Sequence, residues 1–111
     1  MQYHMSATVE MNTYDNAYEG GENTDRINHA VECFNDYYNY SMHADVQYIG
    51  DHNGDHIHDV EILVSSMDGA FDSMDEWKAY LFEILCNFGS DWRDVEVWQG
   101  DDMEGERVSV A

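Results

Sequence analysis

Residues 43–64, HADVQYIGDHNGDHIHDVEILV, carry the clearest indication of how this 111-residue chain folds. Asn53-Gly54 near the middle of this stretch is the strongest short-range signal for a β-hairpin. Apolar and polar residues alternate on both sides of that turn, which predicts strands over about residues 43–49 and 56–64. The stretch therefore predicts a hairpin at the centre of an antiparallel sheet.

The apolar pattern also predicts the register of this hairpin. A two-residue Asn-Gly turn would place Val46 opposite Glu61 and mix buried with exposed positions. A three-residue loop over residues 52–54, with Gly54 in a left-handed bulge, keeps the apolar residues of both strands on one face. The pairs predicted by this loop are Val46–Val60, Ala44–Ile62 and Tyr48–His58.

The sequence predicts a strand and a helix before the hairpin, and a helix and two strands after it. Residues 3–12 alternate apolar with polar side chains, as a half-buried strand does. Apolar residues recur at helical spacing between Ile27 and Tyr38, after a cap at Asn23 or Thr24. Residues 73–76 (Ser-Met-Asp-Glu) match a capping box that starts a second helix, and Gly89 is the predicted stop. Two more strands are predicted at residues 93–99 and 107–110, and loops at residues 15–23 and 100–105.

The predicted order is β-α-β-β-α-β with a short C-terminal strand, in one α+β domain over residues 1–111. This order is that of the ferredoxin-like fold, in which two helices cover one face of an antiparallel sheet. The chain contains no proline and its glycines fall in predicted turns, so no linker is indicated. The short tail strand leaves an edge that could pair between copies, so the expected state is a monomer or a homodimer.

The net charge of the chain limits the classes of partner that it can bind. Against 24 Asp and Glu there are 4 Lys and Arg, and the formal charge is −20. An apolar content of 43% with 14% aromatics is too high for a disordered acidic tail. Direct binding to nucleic acid or to an anionic membrane is not expected, because both require cations on the protein. The expected partner is a basic protein.

Several features predict a reducing cytoplasm as the location. The chain has no apolar run of the roughly 20 residues that a bilayer span needs, and MQYHMSATVE at its start has no pattern of a secretory signal, so none is expected. Cys33 and Cys86 are predicted to be free thiols, buried or half-buried in helices, in a reducing compartment.

In the predicted fold, the acidic residues that alternate with the core point to the sheet face opposite the helices. Few cations are available to neutralise them, so they are predicted to contact the partner as phosphate surrogates. These residues are Glu10, Asp45, Asp59, Glu61, Asp94 and Glu96. Trp92 and Trp98 are predicted to share that face as aromatic anchors.

Two kinds of chemistry are weighed against this interpretation. His56 and His58, two residues apart on a strand, are weak candidates for metal ligands, but no third ligand is set by spacing, and solvated histidines beside a turn are the favoured explanation. The chain has no phosphate loop, no nucleophile elbow and no dinucleotide fingerprint. No catalytic residue, cofactor or enzymatic activity is therefore expected.

In size, acidity, aromatic content and single-domain organisation, the chain resembles small phage- or plasmid-encoded inhibitors that imitate DNA. This class includes anti-restriction proteins and acidic anti-CRISPR proteins. The resemblance implies a viral inhibitor that occupies the nucleic-acid groove of a basic DNA-binding host protein or ribonucleoprotein complex. It carries no diagnostic motif, so no functional residue is transferred from it. The alternatives are an acidic binding module for another basic host protein, and a salt-adapted domain from a halophile.

Overall fold

A computed structural model describes residues 1–13, 23–52, 57–100 and 106–110, with the backbone alone for residues 51 and 52. The predicted loop around Gly20-Gly21, the Asn53-Gly54 turn and the acidic loop at residues 101–105 lie outside the described residues. The elements within them are β1 (Tyr3–Asn12), α1 (Asn23–Tyr37), β2 (Met42–His52), β3 (Ile57–Ser66), α2 (Met74–Cys86), β4 (Asp91–Gln99) and β5 (Val108–Ser109).

The strands form one sheet in the order β2-β3-β1-β4-β5, and all neighbouring strands are antiparallel. Both helices pack on one face of this sheet, where their apolar side chains meet those of the strands. The predicted α+β, ferredoxin-like order with a short C-terminal strand is thereby confirmed.

The core lies between the sheet and the two helices. Trp77 of α2 is fully buried, and its indole Nε1 donates a hydrogen bond to the His4 carbonyl oxygen of β1 at 3.1 Å. This bond satisfies a polar group that would be costly to bury alone. The core also contains side chains of β1, α1, β3 and β4 whose exposed fraction is 0%: Met5, Val9, Ile27, Val60, Val64 and Val97.

Helix α2 begins as its sequence predicts. The Ser73 hydroxyl accepts a hydrogen bond from the Glu76 backbone N–H at 3.1 Å. The Glu76 carboxylate accepts from the Asp72 N–H at 3.2 Å, one residue before the position that a capping box uses. No helix in the described part of the chain is long and apolar enough to cross a bilayer.

The predicted register of the central hairpin is wrong. Val46 pairs with Ile62, Ala44 with Val64 and Tyr48 with Glu61. The pairing is irregular between Val46 and Tyr48 and again between Ile49 and His52. At Ala44 and Val46 the predicted and observed registers differ by two residues, so both registers keep these side chains on the core face. At Tyr48 they differ by three residues, because the irregularity after Val46 moves Tyr48 to the opposite face of the sheet, which the apolar pattern does not indicate.

The two cysteines are free thiols, but both are exposed rather than buried. Both lie in helices whose buried residues are their neighbours, Phe34 beside Cys33 and Leu85 beside Cys86. At helical periodicity, adjacent residues point in directions about 100° apart, so a thiol next to a core position turns toward solvent.

Candidate partner-binding face

The sheet surface that points away from the helices is referred to below as the open face. Residues that pair directly across antiparallel strands lie on the same side of the sheet, so the observed register assigns its members. All six acidic residues singled out from the sequence lie on this face. Asp94, although outside the regular pairing, lines the same surface groove as Glu61 and Glu96.

Three carboxylates form a row across three adjacent strands of the open face. Glu10 of β1 pairs with Asp59 of β3 on one side and with Asp91 of β4 on the other. Side chains directly opposite each other in such pairs have Cβ atoms about 4.5–5.5 Å apart, and like charges at this distance destabilise a sheet. This row, Asp59–Glu10–Asp91, is therefore unfavourable for folding.

Arg93 offsets part of that repulsion. Its Nη2 lies 2.9 Å from Asp59 Oδ2 and its Nη1 lies 3.4 Å from Asp59 Oδ1. The hydrogen bond to Asp59, followed by the charge of Asp59, raises the pKa of Arg93 above its usual value. Arg93 Nε also lies 3.9 Å from Asp94 Oδ2. One guanidinium thus serves several carboxylates, and the end of the open face remains negative.

Further acids occupy the next positions along the strands. Glu61 pairs with Thr8, and Glu96 pairs with Ser6 in the row that also contains Asp45 and Leu63. Successive rows on one face are about 6.6–6.8 Å apart, because a strand rises about 3.3–3.4 Å per residue. This spacing is close to twice the axial rise of about 3.4 Å per phosphate along one DNA strand.

A groove of about 350 Å³ lies on the open face between these rows and the C-terminal end of the chain. Glu61, Asp94 and Glu96 supply its carboxylates, and Trp98 and Arg107 also line it. Arg107 Nη1 lies 3.7 Å from Glu96 Oε1, with both side chains partly exposed. The groove thus combines several negative groups with one aromatic ring and one resident cation.

The prediction that Trp92 and Trp98 share the open face as exposed anchors is wrong. Trp98 does lie on this face, opposite His4, but its exposed fraction is 0%. The His4 ring stacks against it at 5.4 Å between centroids, and the Arg107 guanidinium covers it at 4.0 Å from the ring centroid. The indole is therefore enclosed by its neighbours although no helix covers it.

Trp92 lies on the helix side of the sheet. It pairs with the buried Val9 and packs edge-on against Phe82 of α2 at 5.5 Å between ring centroids. The cause is a bulge in β4: Ser6 pairs with Glu96 and Thr8 with Arg93, so β4 contains one extra residue. Asp94 within this bulge has a φ of 55°. An extra residue inverts the alternation beyond it, which moves Trp92 to the helices.

The same bulge brings to the open face a residue that the sequence-based prediction missed. Asp91 becomes the third member of the row with Glu10 and Asp59. Apolar residues of this strand occupy odd positions at Val95 and Val97 and even positions at Trp92 and Trp98, so the sequence pattern does not locate the bulge.

Tyr48 is a second residue of the open face that the sequence-based prediction missed, as an aromatic anchor. Its side chain is 62% exposed and it pairs with Glu61 on the open face. Unlike the two tryptophans, it presents an aromatic ring to solvent beside the acids. Tyrosine at such a position is a common interface anchor, because its ring is apolar and its hydroxyl is polar.

Acidic residues also lie on the helix layer, so the negative charge is not confined to the open face. Both helices carry exposed acids: Asp25, Glu32, Asp36, Asp75, Glu76 and Glu83. What distinguishes the open face is therefore the regular spacing of its carboxylates across paired strands.

The histidine candidates do not form a metal site in the described residues. His56 lies outside those residues, and His58 pairs with the buried Met11 on the helix side of the sheet. Within the described ranges, no group of three or more His, Cys, Asp or Glu is arranged to hold a metal ion.

Comparisons of this chain with protein-family models, with curated proteins and with solved structures found no match. The geometry and charge of the open face are therefore the features of this chain that point to a function.

Proposed function

We propose that this protein is a DNA mimic: a non-catalytic inhibitor that occupies the basic nucleic-acid groove of a host defence complex. The target class is a CRISPR effector or a restriction enzyme in the host cytoplasm, and target DNA is excluded while the inhibitor is bound. The observation that carries this proposal is the row Asp59–Glu10–Asp91, with further rows of acids beside it.

The energetic cost of that row supports a functional use. Three carboxylates in direct cross-strand register lower the stability of the sheet, and uncharged polar residues would avoid this penalty. The whole chain adds to the cost, since a net charge of −20 greatly exceeds the magnitude of about 2–8 that suits a small soluble domain. A cationic groove would convert the same carboxylates into favourable contacts.

The negative field also favours rapid capture of a basic target. Complementary charge steers two proteins together and can raise association rates to about 10⁸–10⁹ M⁻¹s⁻¹ at low salt, well above those of neutral pairs. After the encounter, Tyr48 would supply aromatic contact area beside Glu61.

A competition measurement tests the proposal. A guide-loaded CRISPR effector and a restriction enzyme are each bound to labelled duplex DNA, and the fluorescence anisotropy is followed as this protein is added. We expect release of DNA from one of the two complexes, with an inhibition constant that weakens as salt is raised. The duplex alone should show no change in anisotropy. If both complexes retain their DNA at a hundredfold excess of the protein, the proposal is wrong for these two target classes.

The same measurement separates the second candidate function, an acidic module for another basic host protein. Its supporting observation is that acids cover the helix layer as well as the open face. Such a module would bind its partner and leave bound DNA in place. Capture of a basic partner whose DNA is not displaced would therefore favour the module over the mimic.

Thermal melting at two salt concentrations tests the third interpretation, a salt-adapted domain. An inhibitor from an ordinary host should remain folded near 0.15 M salt, where the Debye length is about 8 Å and repulsion is partly screened. A halophilic domain should unfold there and regain its fold only near molar salt. Circular dichroism followed during heating in both buffers provides the measurement, and a chain already unfolded at 25 °C in the lower salt would contradict the inhibitor proposal.

A further inference from the structure

The groove on the open face already holds a guanidinium, which the chain itself supplies. Arg107, the residue before β5, lies over the Trp98 ring at 4.0 Å from its centroid. Its distance of 3.7 Å to the Glu96 carboxylate exceeds that of a hydrogen bond. The side chains of Arg107 and Glu96 are 48% and 41% exposed. Arg107 therefore occupies the groove through weak, water-accessible contacts.

An independent feature of the groove is an unsatisfied donor. Trp98 lines the groove with an exposed fraction of 0%, and its Nε1 finds no acceptor among the residues that the structure describes. A buried indole N–H ordinarily has a partner, and leaving it without one costs stability. Within the described part of the chain, this groove-lining residue therefore keeps a buried donor without an acceptor, next to carboxylates that can bind a cation.

We propose that this groove is the receptor for one arginine of the basic partner. Until the partner binds, the Arg107 side chain occupies the position that this arginine will take. This inference rests on the proposed function, because it assumes a basic protein as the partner. The incoming guanidinium would stack on Trp98 and donate to Glu96, Glu61 and Asp94. A backbone carbonyl beside that arginine would accept the hydrogen bond from Trp98 Nε1.

Arginine fits this groove better than lysine. Its planar guanidinium donates in parallel to carboxylates and stacks on an aromatic face, whereas an ammonium is a compact, strongly hydrated point charge. The groove offers both features, with carboxylates at Glu61, Asp94 and Glu96 and an aromatic face at Trp98. Arg107 shows the second of these contacts within the chain.

Displacing Arg107 does not require unfolding of the tail. β5 pairs through Ser109–Glu96 and Val108–Val97, and the Val110 N–H donates to the Val95 carbonyl at 2.8 Å. These contacts use the backbone, so the Arg107 side chain can rotate away while β5 stays paired. Among the residues that the structure describes, the contacts to be exchanged are the stacking on Trp98 and the loose ion pair with Glu96.

The test uses two peptides of equal charge, hexa-arginine and hexa-lysine, titrated into the ¹⁵N-labelled protein. The indole N–H signals report the tryptophans separately, and the variant Trp98→Phe identifies that of Trp98. We expect hexa-arginine to bind more tightly than hexa-lysine and to move the Trp98 signal downfield. Arg107→Ala should increase the affinity for hexa-arginine about threefold to tenfold, because it removes a competing stack and a surface ion pair.

Lys78→Ala is the matched control, since it removes one positive charge from the exposed surface of α2. The affinity of the Lys78→Ala variant for hexa-arginine should stay within about twofold of that of the unsubstituted protein, because an exposed charge outside the groove is screened. Arg107→Lys, which keeps the charge and loses the planar stack, should fall between the original chain and Arg107→Ala. The indole signal of Trp77, bonded to the His4 carbonyl, verifies that the core of each variant is intact.

Two outcomes would overturn the inference: equal effects of Arg107→Ala and Lys78→Ala, or a Trp98 signal that stays in place while hexa-arginine binds. Failure of this inference and failure of the proposed function are distinguishable. DNA displacement without a Trp98 response contradicts the arginine receptor alone. A Trp98 response without DNA displacement supports the receptor and contradicts the DNA mimic.

Discussion

Reversing two charges on the open face, Asp45→Lys with Glu61→Lys, should weaken binding to the inhibited defence complex by about 100-fold or more at 0.1 M salt. Like charges brought together at an interface cost several kcal/mol, and each tenfold loss of affinity corresponds to about 1.4 kcal/mol. Both side chains are exposed, so the fold should tolerate lysine at these positions. Asp59 is unsuitable for this test, because its reversal would also break the paired hydrogen bonds with Arg93.

The matched control is Glu32→Lys with Asp36→Lys on α1. Both residues are exposed, and the double substitution changes the net charge by the same amount. The control should lower affinity by less than about tenfold, because distant exposed charges act mainly on the association rate and are screened by salt. Isothermal titration of both variants provides the comparison. Equal losses would show that total charge, rather than the open face, determines binding.

Replacing Gly89 by alanine should destabilise the fold by about 3 kcal/mol or more, at or above the upper end of typical overpacking penalties. A Cβ at this position would lie 2.3 Å from the Glu10 carbonyl oxygen and 3.0 Å from Val9 Cγ1. The nearest atom belongs to the backbone of β1, a strand paired on both sides, so it cannot move aside at low cost. Urea unfolding followed by tryptophan fluorescence measures the change.

Gly69→Ala is the comparison for that measurement. Gly69 has a φ of +80° and no heavy atom within 4 Å of the added Cβ, so its substitution tests backbone strain without a steric clash. The expected loss is about 1–2 kcal/mol, the cost of placing an L-residue in the left-handed region. A loss at Gly89 no larger than that at Gly69 would contradict the argument from close contact. The Gly89 contact is also relevant to the open face, because it lies against the backbone of Glu10.

Much of the architecture is predictable from local pattern. The alternation in residues 3–12 corresponds to β1, and the apolar spacing between Ile27 and Tyr38 corresponds to most of α1. The Ser73 cap marks the start of α2 to the residue. Each of these signals depends on neighbours within one or two turns of chain, where backbone preference and side-chain periodicity act directly.

The open face is only partly predictable. The positions of Glu10, Asp45, Asp59, Glu61 and Glu96 follow from simple alternation along their strands. Asp91 does not, because its placement depends on the extra residue at the β4 bulge. The same bulge explains why Trp92 lies against Phe82 rather than beside the acids.

Periodicity along the chain therefore specifies which segments are helices or strands and which side chains are apolar enough to form a core. Long-range pairing specifies the rest: the β2–β3 register, the bulge at Asp94, and the enclosure of Trp98 by His4 and Arg107. These features join residues distant in the chain, and their energies depend on fitting the whole sheet and both helices at once. Registers that differ by two residues keep the same apolar pattern, so packing between elements has to choose between them.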